Sequence, residues 1–278
     1  MTAFAAPETL AEAVAGVAAG GVAVAGGTDL VVAARSGRRA LPDAIVSLHR
    51  LDELRGLFIG DDGSLVLGAL TTHADLERSE PVRRRWAALA DAAALVGSPA
   101  TRHVATVGGN LANASPAMEL GSPLLVHEAH IELNGGERTL PVRELLRGPG
   151  QTAVRKGELI TRVVVPDPGA SAYVRLEYRR AMEIAVVGAA ARLVLDEDGR
   201  IEDARVALTA VAPTCMRVAA AEEALRGSTP AAFGEAAALA AESAAPISDV
   251  RASERYRRAQ IPLVVRRALE RALERARA

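Results

Sequence analysis

An apolar run, Val22-Ala23-Val24-Ala25, passes directly into Gly26-Gly27, and the residues before it are patterned as a helix. Pro7-Glu8-Thr9 followed by Leu10-Ala11-Glu12 sets Thr9 and Glu12 at capping-box spacing, and Gly20-Gly21 closes that helix. Ile45-Val46-Ser47-Leu48 reads as a second strand, which makes residues 1–55 a small β-α-β-type unit. In residues 56–168, Leu65-Val66-Leu67 predicts a strand, Thr72 a helix cap, and Pro81 to Val96 one longer helix. Ile131-Glu132-Leu133 and Thr139-Leu140, joined through Asn134-Gly135-Gly136, predict a hairpin, and Leu159 to Val165 another strand.

Pro166-Asp167-Pro168-Gly169 can continue neither regular structure, so a domain boundary is expected there, with domains 1–168 and 169–278. Beyond it, Tyr173–Tyr178, Val186–Leu195 and Ile201–Ala210 predict a three-stranded meander, with a turn at Asp196-Glu197-Asp198-Gly199. Alanine-rich helices follow, then a final helix from about Ser253. Its apolar residues Ile261, Val264, Val265, Leu269 and Leu273 fall close to helical spacing.

Composition narrows the chemistry. A formal net charge of -1 gives no electrostatic reason to expect a nucleic-acid or acidic-membrane partner. Cys215 is the only cysteine, which excludes an internal disulfide and any four-thiolate iron–sulfur or zinc site. No run approaches the ~20 apolar residues of a membrane span, and a cytoplasmic location is expected.

Two glycine-rich segments carry the candidate chemistry. At Ala25-Gly26-Gly27-Thr28-Asp29, paired glycines let backbone approach a phosphate where any Cβ would intrude, although an ordinary strand-to-helix turn uses the same residues. Thr106-Val107-Gly108-Gly109-Asn110, continuing to Ser115, is a small, polar segment in an otherwise apolar chain. Its consecutive amides are expected to form a diphosphate nest, with Thr106, Asn110 and Ser115 adding neutral hydrogen-bonding groups. Together the pair favours a nucleotide-type ligand. Neither G-x-G-x-x-G nor a P-loop is present, and His127-Glu128-Ala129-His130 lacks the histidine spacing of H-E-x-x-H, so no metal site is expected. His73 and His103 lie near the loops, where a lone histidine is ordinarily structural.

These segments and their surroundings resemble the medium, FAD-binding subunit of the xanthine dehydrogenase / carbon monoxide dehydrogenase family of molybdenum hydroxylases. The resemblance runs in order through Ala25 to Leu30, Gly68 to His73, Gly97-Ser98-Pro99, Thr106 to Pro116, Gly148 to Thr152, Gly157 to Thr161, Arg180 to Ala185 and Tyr256-Arg257-Arg258. It implies an α+β architecture: a two-subdomain FAD-binding domain of the vanillyl-alcohol-oxidase (PCMH) type, then a small α+β C-terminal domain. Both loops would wrap the pyrophosphate of non-covalent FAD, with Ile160 lining the cofactor and Ile184 packing near its ring system. Glu119 stands where an Asp that binds a cofactor hydroxyl is usual, Glu183 replaces another Asp, and Arg175 stands where a Lys is common.

No nucleophile or general acid–base pair is evident, so no catalytic residue is assigned. The resemblance implies an electron-transfer subunit working with a molybdenum-cofactor large subunit and a [2Fe-2S] small subunit, electrons leaving from FAD to an external acceptor. A stand-alone flavin oxidase and a cofactor-free scaffold of the same fold are the alternatives. The phosphate-nest reading also carries an expectation about Gly108: a Gly108→Val side chain should occupy the phosphate approach and leave folding intact.

Overall fold

The computed structural model describes residues 2–166, 168–179 and 181–278. Its first unit is a parallel three-stranded sheet in which Ala44–Ser47 lies between Ala3–Ala5 and Val22–Val24. The helix Leu10–Ala18 connects the first two strands, and its capping box forms as the sequence predicts: Glu12 N–H donates to Thr9 Oγ1, and Thr9 N–H to the Glu12 carboxylate. Sequence patterning missed Ala3–Ala5, because three residues, all exposed, are too short a run to show alternation.

The second unit is an antiparallel five-stranded sheet backed by helices. Ile160–Val165 runs through its centre, between Leu65–Gly68 and His130–Leu133, with Leu57–Ile59 and Arg138–Pro141 at the edges. Asn134, Gly135 and Gly136 all take positive φ and turn the predicted hairpin. Two helical expectations change. The helix over 81–96 is two helices, Glu80–Arg85 and Ala87–Ala93, because Trp86 leaves helical geometry (φ -132°, ψ 47°) and is fully buried. The second glycine segment is itself a helix, Val107–Asn113, capped by Thr106 and ended by Ala114 in the left-handed region.

The third unit is an antiparallel meander of Ala170–Leu176, Val187–Leu195 and Ile201–Thr209, extended by a two-residue fourth strand, Met216–Arg217. Its central strand is buried for seven residues running, as expected of a strand covered on both faces. Ala189, Ala191 and Leu193 face a core shared with Phe233–Ser243 and the C-terminal helix Glu254–Ala276. Ala190 turns the other way, joining Tyr173, Ala207 and Cys215 in the core of the five-stranded sheet. The second and third units are therefore packed through one continuous apolar layer. The predicted register of the C-terminal helix holds, with Ile261, Val264, Val265, Leu269 and Leu273 all buried.

Arg257, on the first turns of that helix, is 1% exposed. It donates to Val186 O (2.6 Å), Ala210 O (3.1 Å) and Asp249 (2.7 Å), tying the helix to both long strands. Burial pushes the Asp249 carboxyl up, but the hydrogen bonds from Arg251 and Arg257 outweigh it and hold the group well below the usual carboxylate range. Its folded-state pKa thus lies below the unfolded value of about 3.9, so this contribution is present above that pH and lost as pH falls. Asp249→Asn is expected to lower the melting temperature at neutral pH, with the gap to wild type closing below about pH 4. Melting curves across pH 3–8 check this, and a gap that widens on acidification would contradict it.

Candidate functional site

A cleft of about 520 Å³, a size typical of ligand sites, opens where the three units meet. Both glycine-rich segments line it, although they lie far apart in sequence. They are joined directly: Asn113 Nδ2 donates to Asp29 Oδ1 at 3.1 Å. Burial pushes the Asp29 carboxyl up, opposed by the charge of Arg38.

The two segments differ in what they offer. Among the described residues, the amides of Gly26, Gly27, Thr28 and Asp29 make no hydrogen bond within the protein. Gly27 has φ +68°, and this turn leaves a short row of unspent donors at the cleft. In the second segment the amides are spent. Val107 N–H donates to Thr71 O, Gly108 N–H to Ala69 O, Gly109 N–H to Thr106 Oγ1 and Asn110 N–H to Thr106 O. The nest expected there does not form, because Val107 and Gly108 anchor the Val107–Asn113 helix to the strand–helix connection at 69–71, and Gly109 and Asn110 bond to Thr106 at its start. What that segment presents instead is side chain and open space. Asn110 Oδ1 is buried at the cleft with no partner among the described residues, and a Cβ on Gly109 would meet only Thr106 Oγ1, at 3.0 Å.

The glycines also divide by role. A Cβ on Gly26 would lie 2.0 Å from Val104 O, so this glycine permits a backbone crossing. A Cβ on Gly108 would lie 2.8 Å from both Ala69 Cβ and Ala69 O, and Gly108 does not line the cleft. A side chain at 108 would collide with Ala69 at the wall before reaching open cleft space.

Ala25, Gly26, Gly27, Thr28, Asp29, Thr106, Gly109, Asn110, Ser115, Glu119 and Ile184 all line the cleft. Gly108, Ile160 and Arg175 do not. Ile160, at the start of the central strand, is packed into the apolar core. Arg175 lies behind Glu119, donating to its carboxylate (2.6 Å) and to that of Glu177. Tyr173 donates its hydroxyl to the other Glu119 oxygen, in space that Gly188 leaves open, since a Cβ there would sit 2.5 Å from the phenol oxygen. Burial pushes Glu119 up, and Arg175 and Tyr173 oppose that shift. Both oxygens of Glu119 are already engaged by the protein, so this carboxylate joins the second unit to the C-terminal sheet.

Charge in the lining is mostly negative: Asp29, Glu119 and Glu183 against exposed Arg39. Arg175 offsets Glu119, and Arg179 offsets Glu183 at 3.0 Å. A diphosphate held here depends on neutral donors, above all the free amides of 26–29, rather than on a basic patch. Sequence reasoning missed Arg39 and Thr101, which no local pattern marks, gave Asn113 only as part of the second segment, and set aside His73, which lines the cleft. The His127-Glu128-Ala129-His130 run is spent elsewhere. His127 Nε2 lies 2.9 Å from Ser171 Oγ, and Glu128 pairs with Arg205 and Arg217.

Residues 1–168 match the family model described as the FAD binding domain in molybdopterin dehydrogenase, and residues 172–272 that of the CO dehydrogenase flavoprotein C-terminal domain. The chain belongs to the FAD-binding molybdopterin dehydrogenase family. Among family relatives, it is 35% identical to the 6-hydroxypseudooxynicotine dehydrogenase complex subunit alpha of Paenarthrobacter nicotinovorans, over 91% of this chain and 87% of that one. It is 34% identical to the carbon monoxide dehydrogenase medium chain of Hydrogenophaga pseudoflava, over 84% and 82%. The fold superposes on a chain of the reconstituted CO dehydrogenase from Oligotropha carboxidovorans with a TM-score of 0.93 at 30% identity, covering 99% of each chain. Among the described residues, no helix is long and apolar enough to cross a membrane.

The glycine geometry separates two variants. Gly108→Val is expected to destabilise the fold by about 1–3 kcal/mol through overpacking against Ala69. Gly109→Val, facing the cleft, should cost under about 1 kcal/mol yet reduce bound FAD. Thermal melts paired with quantification of heat-released flavin distinguish them; equal behaviour of the two variants would refute the assignment.

Proposed function

We propose that the chain is the FAD-binding, electron-transfer subunit of a heteromeric molybdenum hydroxylase. It would work with a molybdenum-cofactor large subunit and a [2Fe-2S] small subunit. The observation that carries this reading is the convergence of both glycine-rich segments on one cleft, with unspent amides on one side and an unpartnered Asn110 Oδ1 on the other. Family membership and the extent of the match over both halves of the chain support it. The domains are read as 1–168 and 169–278, the complex as cytoplasmic.

The residues assigned to the cofactor are Ala25 to Asp29, Thr106, Gly109, Asn110, Ser115 and Ile184. The amides of 26–29 would bind the diphosphate, and Asn110 would accept a hydrogen bond from a cofactor donor. Glu119 lines the cleft and, with Arg175, holds the C-terminal sheet against it; Gly108 and Ile160 support the wall from behind. The chemistry FAD supplies when bound is uptake of electrons singly or in pairs and their release to an external acceptor. The protein's part is to fix the cofactor where the two halves of the chain meet.

Purified protein is expected to be yellow, and flavin released by heat should co-chromatograph with FAD. A colourless chain that cannot be reconstituted with FAD would rule the reading out. Co-purification with molybdenum- and iron–sulfur-containing subunits separates it from a stand-alone oxidase, whose isolated chain would show substrate-dependent flavin bleaching.

A further inference from the structure

His73 is 1% exposed, yet it lines the cleft. Its backbone is fully committed to the fold. The residue opens the His73–Arg78 helix behind the Thr72 cap, and its amide donates to Ala105 O at 3.1 Å. That places it directly under the Val104–Ala105 backbone, against which Gly26 crosses on the other side.

The ring is treated differently. Among the described residues, Nδ1 is buried with no hydrogen-bond partner. A buried polar atom left in that condition lowers stability, since it gave up water for no partner. His127 shows how this protein handles a histidine that is only structural: equally buried, it lies within hydrogen-bond reach of Ser171 Oγ. Burial, and then the charge of Arg102, lower the His73 pKa to about 4, so at neutral pH the ring carries one N–H donor and one lone pair. Arg102 itself is engaged by Glu77 at 2.7 Å and by Val96 O. The cleft thus holds a second unpaired buried atom beside Asn110 Oδ1, and both line the same cavity.

We propose that His73 is a cofactor-binding residue, its uncharged ring hydrogen-bonding an oxygen of FAD. The inference rests on the FAD reading above and extends it to a position for which the glycine segments give no indication. The oxygen belongs either to the diphosphate or to the ribityl-flavin half, and binding of fragments tells them apart.

The test compares wild type, His73→Leu and His73→Gln as apoproteins and after titration with FAD, ADP and FMN. His73→Leu should weaken FAD binding about fivefold to twentyfold, with His73→Gln recovering part of the loss. A parallel loss for ADP places the contact on the diphosphate; a loss for FMN without one for ADP places it on the ribityl-flavin half. Removing an unpaired buried atom should leave the melting temperature of the His73→Leu apoprotein equal or higher. In wild type, the His73 ring nitrogen resonances should shift on FAD addition. Unchanged FAD affinity in His73→Leu, or ring signals that stay put, overturns the His73 assignment alone. A lowered apoprotein melting temperature with unchanged affinity returns the residue to a structural role. Wild type that binds no FAD removes the underlying reading as well.

Discussion

The fold depends on a backbone crossing at Gly26. There the exit of the Val22–Val24 strand passes so close to Val104 and Ala105 that a Cβ would fall 2.0 Å from a carbonyl oxygen, well inside any van der Waals contact. No side chain can move aside to relieve that approach, because the obstacle is backbone. The crossing draws the small parallel sheet against the helical wall of the second unit. It thereby sets the width of the cleft and brings Asp29 within hydrogen-bond reach of Asn113. Gly108 makes a similar approach one layer deeper, against Ala69, and its amide bond to Ala69 O fixes the Val107–Asn113 helix in position.

The far side of the cleft is closed by the C-terminal unit, and the junction is polar where it meets the cleft. Glu119 receives Tyr173 and Arg175 from the Ala170–Leu176 strand, a buried carboxylate satisfied by two donors. Such a pair contributes less to stability than its short contacts suggest, because desolvation offsets much of the attraction, whereas losing one partner is costly. Its effect is on geometry: it leaves one arrangement of the two units without an unpaired buried charge. Away from the cleft, Asp91 receives Arg275 at 2.7 and 2.9 Å, and Ser122 lies 2.8 Å from Thr209, so the junction is pinned at both ends.

Local signals were read well. The Thr9–Glu12 capping box, the Thr72 cap, the helix start at about Ser253, the Asn134-Gly135-Gly136 turn and the buried stripe of the C-terminal helix all follow from neighbouring residues. Elements whose reason is distant were misread. Trp86 breaks a helix that propensity would continue, and Val107–Asn113 is helical although two glycines and two asparagines argue for a loop. In both, tertiary contacts override the local preference: burial of the indole in one, the amide bonds of Val107 and Gly108 to the 69–71 connection in the other.

By itself the sequence determined that the chain is an α+β protein with two glycine-rich segments, one cysteine and the ordered motifs of a flavoprotein family. Those properties reside in residue identity and short spacings, which need no third dimension. Only the tertiary structure decided how the glycines are used. The amides of 26–29 are free while those of 107–110 are spent, and Gly108 serves packing where Gly109 faces the cleft. A glycine's identity permits close approach but does not say to what, and whether an amide is available depends on acceptors that lie far away along the chain.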